Sequence, residues 1–135
     1  MSSDPFRQTL VQIEHIALAT SDLERLCVFY RQLGAVVSRV FTDLGLRVCV
    51  FDFCGIRLEV VERPGGGADV AGGERSPGLI HVGFALGSAD AVDERTSALA
   101  AAGHRVLEPP HRSGELGRYE SVVLDPDGNR LKLTV

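Results

Sequence analysis

The sequence predicts an α+β fold in which two βαβββ repeats form a curved mixed sheet around a cavity. One observation is internal similarity near the ends of the repeats: FDFCGIRLEVV at 51–61 matches LDPDGNRLKLT at 124–134, at a constant offset of 73 positions. A second is that IEHIAL at 13–18 matches LIHVGF at 79–84, and a helical pattern ending in glycine follows each of them. Such self-similarity indicates a repeated structural unit.

Composition narrows the class of protein. The chain has 135 residues, a length that suits a single domain, 1–135, with one core. Its net charge is −4, and it lacks the clustered basic residues typical of nucleic-acid binding. No apolar run approaches the roughly 18 residues of a membrane span, and the first residues do not resemble a signal peptide. We therefore expect a cytosolic protein that binds neither nucleic acid nor membranes.

The three cysteines, Cys27, Cys49 and Cys54, are odd in number and form no CxxC pair. This pattern predicts buried thiols in a reducing compartment rather than a disulfide framework or a zinc site.

Repeat one covers about 11–63. After its first strand, Ser21 and Glu24 form a capping box, which predicts the start of a helix. Gly34 suits the left-handed position that follows a helix end. An apolar stripe with helical spacing lies between them, comprising Leu23, Leu26, Cys27, Tyr30 and Leu33. Strand-like runs follow at about 35–42, 46–54 and 57–62.

Repeat two covers about 79–135 and follows the same order. An alanine-rich helix is predicted at about 88–102, ending at Gly103, and strands at about 104–108, 118–125 and 129–135. Cys54-Gly55 and Asp127-Gly128 lie where tight hairpin turns need residues that tolerate positive φ. The glycine-rich segment 64–78 reads as a flexible linker between the repeats.

Side-chain alternation along the strands predicts where chemistry can occur. His15 shares a face with Ala17 and Ala19, and His81 shares one with Gly83 and Ala85, so both histidines have room in front of them. On the last strand of each repeat, Glu59 and Lys132 lie opposite apolar faces. If a pseudo-twofold axis relates the repeats, these four side chains converge in the cavity. Imidazole and carboxylate donors suit divalent Fe, Mn, Ni, Co or Zn.

The run Leu124-Asp125-Pro126-Asp127-Gly128-Asn129-Arg130-Leu131 carries a family resemblance. From about residue 11 to 135 the chain resembles the vicinal oxygen chelate superfamily, which includes glyoxalases, bleomycin resistance proteins and extradiol dioxygenases. The resemblance implies that His15, Glu59 and His81 stand at metal-ligand places. The fourth place, normally a carboxylate, holds Lys132. The run 124–131 is a turn motif, so it identifies the fold and says little about the reaction.

Lys132 leaves three outcomes open, because a protonated lysine has no lone pair and repels a cation. A three-ligand metal site can form with Lys132 turned aside or acting on the substrate. Glu59 and Lys132 can pair in a metal-free cavity. A lysine neutralised by burial can act as a base.

Segment 108–118 reads as a polar loop at the place where related proteins have a lid. There His111, Arg112 and Tyr119 could contact a substrate, although a connecting loop fits equally well. Elsewhere, His104 reads as solvent-facing, and both Arg57 and Arg130 read as surface or salt-bridge residues.

The leading hypothesis is a small metal-assisted enzyme acting on an oxygen-rich metabolite or anionic substrate, with Glu59 and Lys132 in catalytic roles. The reaction type, isomerase, lyase or dioxygenase, is open. The rival hypothesis is a metal-free protein that sequesters a small molecule, as bleomycin resistance proteins do, and a third is an interaction module with an inert cavity. The resemblance also implies a homodimer, in which His15 and Glu59 of one chain can meet His81 and Lys132 of the other.

Overall fold

A computed structural model describes residues 13–64, 79, 81–113 and 117–135. It contains two four-stranded mixed sheets, each covered by one helix, with strand orders β1-β4-β3-β2 and β5-β8-β7-β6. The predicted fold of two βαβββ repeats is confirmed. Apart from Pro64, the predicted linker lies outside the described residues. The elements are β1 His15–Thr20, α1 Leu23–Leu33, β2 Val36–Asp43, β3 Leu46–Phe53, β4 Ile56–Glu62, β5 Val82–Ala85, α2 Ala89–Ala101, β6 Val106–Arg112, β7 Tyr119–Leu124 and β8 Arg130–Thr134.

The two repeats have the same strand pairing. In each, the first strand pairs in parallel with the last strand, starting from His15 opposite Arg57 in one repeat and Val82 opposite Leu131 in the other. His81 stands one residue before Val82, so it takes the position that His15 has in the first repeat. Glu59 and Lys132 are equivalent by the same register.

Helix α1 begins one residue later than the capping box suggested. Its N-cap is Asp22, whose side chain accepts a hydrogen bond of 3.2 Å from the backbone N–H of Arg25, so the expected role of Ser21 is wrong. A carboxylate at the cap also interacts favourably with the helix dipole. Gly34, at φ 118°, ends the helix as predicted.

Helix α2 follows the prediction closely. Ser88 caps it by accepting from the backbone N–H of Ala91 at 3.1 Å, and Gly103, at φ 95°, follows its end. Neither helix of the described chain is long and apolar enough to cross a membrane.

The two hairpins before the last strands differ. Cys54 and Gly55, at φ 56° and 75°, make the predicted two-residue turn between β3 and β4. Between β7 and β8 the connection runs from Asp125 to Asn129, and only Gly128 has positive φ, so the tight turn predicted at Asp127-Gly128 is wrong. The reason is Asp125, whose Oδ1 accepts from the backbone N–H groups of Asp127 and Asn129, each at 2.9 Å, and stabilises a wider turn.

Strand β6 is longer than predicted. It continues from Val106 through Pro109 and Pro110 to Arg112, so the prediction of a loop from residue 108 is wrong up to that point. Proline removes a backbone donor, which a strand tolerates at a sheet edge, and β6 is an edge strand with shifted register.

Both repeats contribute to one hydrophobic core. The Tyr30 hydroxyl of α1 donates to Asp125 Oδ2 at 2.7 Å, a buried bond between the repeats. The ring of Phe29 packs edge-on against His104 with centroids 4.8 Å apart, so one side of His104, which was expected to face solvent, contacts the core. Burial lowers the pKa of His104, as expected for an imidazole partly removed from water.

The cysteines differ in burial. Cys49 is buried and Cys27 half-buried, and desolvation raises the pKa of the Cys27 thiol to about 12. Cys54 is exposed because it lies in the β3–β4 turn, so the prediction of three buried thiols is wrong for this residue.

Candidate functional site

The first wall is the face of the β1-β4-β3-β2 sheet that points away from the core. On β1, Ile16 and Leu18 pack on the core, so His15 lies on the opposite face. On β4, Glu59 lies between the buried Leu58 and Val60 and therefore shares that face. The structure brings the two predicted residues together: His15 Nε2 lies 3.3 Å from Glu59 Oε2, with side chains 47% and 32% exposed.

A second carboxylate holds the other side of the His15 ring. His15 Nδ1 is hydrogen-bonded to Glu14, and Arg57 lies 3.4 Å from the same carboxylate. The bond to Glu14, followed by the charge of Glu59, raises the pKa of His15. Glu14 was missed from the sequence because it precedes β1, where strand alternation does not predict side-chain direction.

The first wall suits two adjacent ligands of a divalent ion. Two donors bound at about 2.1 Å, with an angle between tetrahedral and octahedral values, lie roughly 3.0–3.4 Å apart. The separation of His15 Nε2 and Glu59 Oε2 falls in this range. A carboxylate behind the imidazole, here Glu14, is the usual arrangement for orienting a metal-bound histidine. A metal would replace the proton that the two carboxylates favour on His15.

The third predicted donor stands apart in a single chain. His81 is exposed just before β5. In the described part of the chain, no group of three His, Cys, Asp or Glu side chains is close enough to hold a metal. One chain therefore brings together His15 and Glu59 and does not add His81 to them.

The second wall is the face of the β5-β8-β7-β6 sheet that points away from the core. Lys132 lies on it, between the buried Leu131 and Leu133. Its Nζ is 3.5 Å from Glu120 Oε1, and the two side chains are 26% and 8% exposed. Within one chain, therefore, Lys132 pairs with Glu120 of β7 and not with Glu59. Strand alternation marks Glu120 as polar, but only the register shows that it lies beside Lys132.

The three residues predicted to contact a substrate lie on different faces. His111 is opposite Glu120 in the β6–β7 register and belongs to the second wall. Tyr119 points to the helix side and donates to Asp93 of α2 at 2.6 Å. Arg112, opposite Tyr119, donates to the carbonyl of Gly117 at 2.8 Å. Only His111 lies on the same face as Lys132.

The two arginines predicted as surface or salt-bridge residues, Arg57 and Arg130, differ in exposure. Arg57 is exposed and paired with Glu14, in agreement with its expected role. Arg130 is half-buried on the second wall, and its Nε has no hydrogen-bond partner within the described ranges.

Comparison with known proteins identifies the type of chain. Residues 12–133 match the family model of the Glyoxalase/Bleomycin resistance protein/Dioxygenase superfamily. A search of curated protein sequences finds no significant match.

Several solved structures are similar. A glyoxylase/bleomycin resistance protein/dioxygenase domain from Frankia sp. EAN1pec is 20% identical with a TM-score of 0.79, over 94% of this chain and 98% of that one. Lactoylglutathione lyase from Agrobacterium tumefaciens is 23% identical with a TM-score of 0.66, over 91% and 92%. A mutant of the fosfomycin resistance protein FosX from Listeria monocytogenes, complexed with Mn(II) and 1S,2S-dihydroxypropylphosphonic acid, is 20% identical with a TM-score of 0.73, over 93% of each chain. At these identities the likeness shows the fold alone.

Proposed function

Because the chain belongs to the Glyoxalase/Bleomycin resistance protein/Dioxygenase superfamily, we propose that it is a small metal-assisted enzyme whose site is completed between two copies. The observation that carries this proposal is the His15–Glu59 pair, with Glu14 behind the imidazole. A divalent ion held there supplies Lewis acidity to a bound oxygen of the substrate. A relative of the same fold was solved with Mn(II) and a small dihydroxy phosphonate.

Two copies are needed because one chain provides only half of the donor set. His15 and Glu59 form the first wall of one copy, and we assign His81 and Lys132 of the second copy to the opposite side of the cavity. This arrangement gives a homodimer with two equivalent sites, in keeping with the closed symmetry of most oligomers. It supplies the third donor that the described residues of one chain lack.

Lys132 has a substrate role in this proposal. Its charge is offset by Glu120 at 3.5 Å, so it repels a metal less than a free lysine does. Its ammonium can hold an anionic group of the substrate or pass a proton to it. Glu59, whose Oε2 lies 3.3 Å from His15 Nε2, would hold the metal and take up a substrate proton when one is released.

Complementation between two defective variants tests the shared site. His15→Ala and His81→Ala are each expected to lose Mn(II) binding and activity as homodimers. When the two variants are unfolded, mixed in equal amounts and refolded, each heterodimer contains one intact site, so about a quarter of the sites recover. Failure to recover any binding, with heterodimers demonstrated by mass spectrometry, would show that the site is not shared.

One observation favours a second candidate function. The Lys132–Glu120 pair fills the fourth ligand place with an internal ion pair, which suits a metal-free cavity that sequesters an anionic metabolite. Metal analysis of untagged protein separates the two functions, because sequestration without chemistry requires no bound ion.

A further inference from the structure

A cleft between the two repeats lies on the helix side of the sheets, away from both walls. It has a volume of about 610 Å³. One side is formed by Arg25 and Val28 of α1, and the other by segments 103–105 and 124–128 of the second repeat. Because α1 packs on the face of its sheet opposite to the first wall, the cleft is separate from the proposed metal site. The proposed function gives it no role.

Contacts between the repeats fix the shape of this cleft. His104 Nε2 is hydrogen-bonded to Gln32 Oε1 of α1 at 2.5 Å, and its ring packs against Phe29 of the same helix. On the other segment, Asp125 accepts the buried hydrogen bond from the Tyr30 hydroxyl at 2.7 Å. Both segments of the second repeat are thus fastened to α1. A site whose sides are already in place costs less ordering when a ligand binds.

Two arginines, one from each repeat, line the cleft. Arg25 of α1 and Arg105, just before β6, are both exposed there. Within the described part of the chain, the arginine ion pairs involve Arg47 and Arg57 and neither of these two. Their guanidinium groups therefore remain available to an anion.

The two carboxylates of the cleft are turned to other partners. Asp125 is buried and accepts from the Tyr30 hydroxyl and from the backbone N–H groups of Asp127 and Asn129. Asp127 Oδ2 is covered by the chain itself. Their charges reduce the attraction for an anion, but a ligand in the cleft meets the guanidinium groups first.

We propose that this cleft binds a phosphate monoester with a small apolar organic group. A guanidinium donates two parallel hydrogen bonds, which one arginine can direct to both oxygens of a carboxylate. A phosphate monoester has three terminal oxygens and can accept from Arg25 and Arg105 together. Val28 and Pro126 provide apolar surface in the cleft for the organic group. Recognition is by charge, hydrogen bonds and apolar contact, and no covalent bond changes.

A matched series of probes tests the inference. Phenyl phosphate has both groups, benzoate replaces the phosphate by a carboxylate, and inorganic phosphate lacks the ring. In NMR titrations of the full chain, with EDTA present and ionic strength constant, phenyl phosphate should shift the amide signals of 103–105 and 124–128 and leave that of His15 in place. It should bind about tenfold more tightly than benzoate, by one charge-assisted hydrogen bond, and than inorganic phosphate, by apolar contact of the ring.

Substitutions of exposed residues identify the contacts without disturbing the core. Arg25→Gln and Arg105→Gln should each weaken phenyl phosphate binding about tenfold, the usual value of one charge-assisted hydrogen bond. Val28→Glu, which adds a carboxylate beside the arginines, should weaken it as well. Arg31→Gln is the matched control, because Arg31 is an exposed arginine of the same helix that does not line the cleft, and it should leave the affinity unchanged.

The same titrations give the results that would overturn the inference. These are no detectable binding of phenyl phosphate, signal shifts confined to the two walls, or an equal loss of affinity in Arg31→Gln and Arg25→Gln. Equal affinities for phenyl phosphate and benzoate would also overturn it, because a single carboxylate would then satisfy the cleft. Since EDTA is present throughout, each result is independent of whether the first wall binds a metal.

Discussion

The first and second walls have the same backbone and different chemistry. At equivalent positions of the last strand, the first wall has Glu59 beside His15, whereas the second has Lys132 beside Glu120. By register, the place of Glu120 is taken in the first wall by Val48. Where the first wall has the carboxylate of Glu59 and the apolar Val48, the second wall has the ammonium of Lys132 and the carboxylate of Glu120. One wall therefore presents an imidazole beside a carboxylate, and the other an ammonium beside a carboxylate.

The helix-facing sides of the two sheets show the same divergence. Arg47 on β3 pairs with Glu24 at the start of α1 and with Glu62 at 2.8 Å. Its equivalent on β7 is Tyr119, which donates to Asp93 of α2. Both repeats fasten the helix to the sheet at this place, the first by charge and the second by a hydroxyl. The equivalent residues Arg47 and Tyr119 thus both connect the sheet to its helix, by different side-chain chemistry.

The largest difference in stability is expected between the two hairpins. Asp125→Ala should lower the free energy of unfolding by about 3 kcal/mol, because it leaves the Tyr30 hydroxyl and the donors of the turn without an acceptor. Cys54→Asn, in the first hairpin, should change it by less than about 0.5 kcal/mol, because asparagine tolerates positive φ. Urea unfolding measures both. Similar losses for the two variants would contradict the central role given to Asp125.

The next largest effect concerns the fourth ligand place. Lys132→Glu makes the second wall resemble the first, and it should strengthen binding of Mn(II), Co(II) or Ni(II) by at least about tenfold, because an attraction replaces a repulsion. Lys132→Gln, which removes the charge alone, should give a smaller gain. Titration calorimetry on untagged, chelator-stripped protein measures these affinities. If Lys132→Glu binds these ions no more tightly than wild type does, Lys132 is too far from the metal to affect its binding.

Tyr119→Phe tests whether Tyr119 contributes to stability, through the helix, or to ligand binding at the site. Because the hydroxyl is bonded to Asp93 at an exposed position, its loss should lower the Tm only slightly and leave ligand binding unchanged. His111→Ala, on the second wall, is the matched comparison and should alter binding of an anion. A Tyr119→Phe variant with normal stability and weakened ligand binding would instead support a contact between Tyr119 and the substrate.

The smallest effect is expected at Arg47. Its ion pairs lower the pKa values of Glu24 and Glu62, so their contribution to stability is present above the ordinary glutamate pKa and is lost as the pH falls through the lowered values. Arg47→Met should therefore reduce Tm slightly at pH 7, since exposed pairs contribute little, and the difference from wild type should vanish in acid. A difference that persists at pH 2 would assign the effect to packing of the arginine stem.

Sequence patterns predicted the repeats, both helices and the face of each site strand, because periodicity and internal similarity report which side of an element is buried. These patterns did not predict which side chains contact each other across neighbouring strands. The pairing of Lys132 with Glu120 depends on the β7–β8 register, and the contact of Glu14 with His15 depends on backbone direction before β1. A tight turn was predicted at Asp127-Gly128 because Asp-Gly usually forms one, whereas the side chain of Asp125 stabilises a wider connection.

A metal titration of the first wall tests the central claim most directly. Untagged protein stripped with chelator is titrated with Mn(II) by calorimetry, alongside His15→Ala and Glu59→Gln, with Glu94→Gln as the control. The account predicts one ion per chain for wild type and the control, and loss of binding in the other two variants. No binding to folded wild-type protein, or binding that survives His15→Ala, would contradict it.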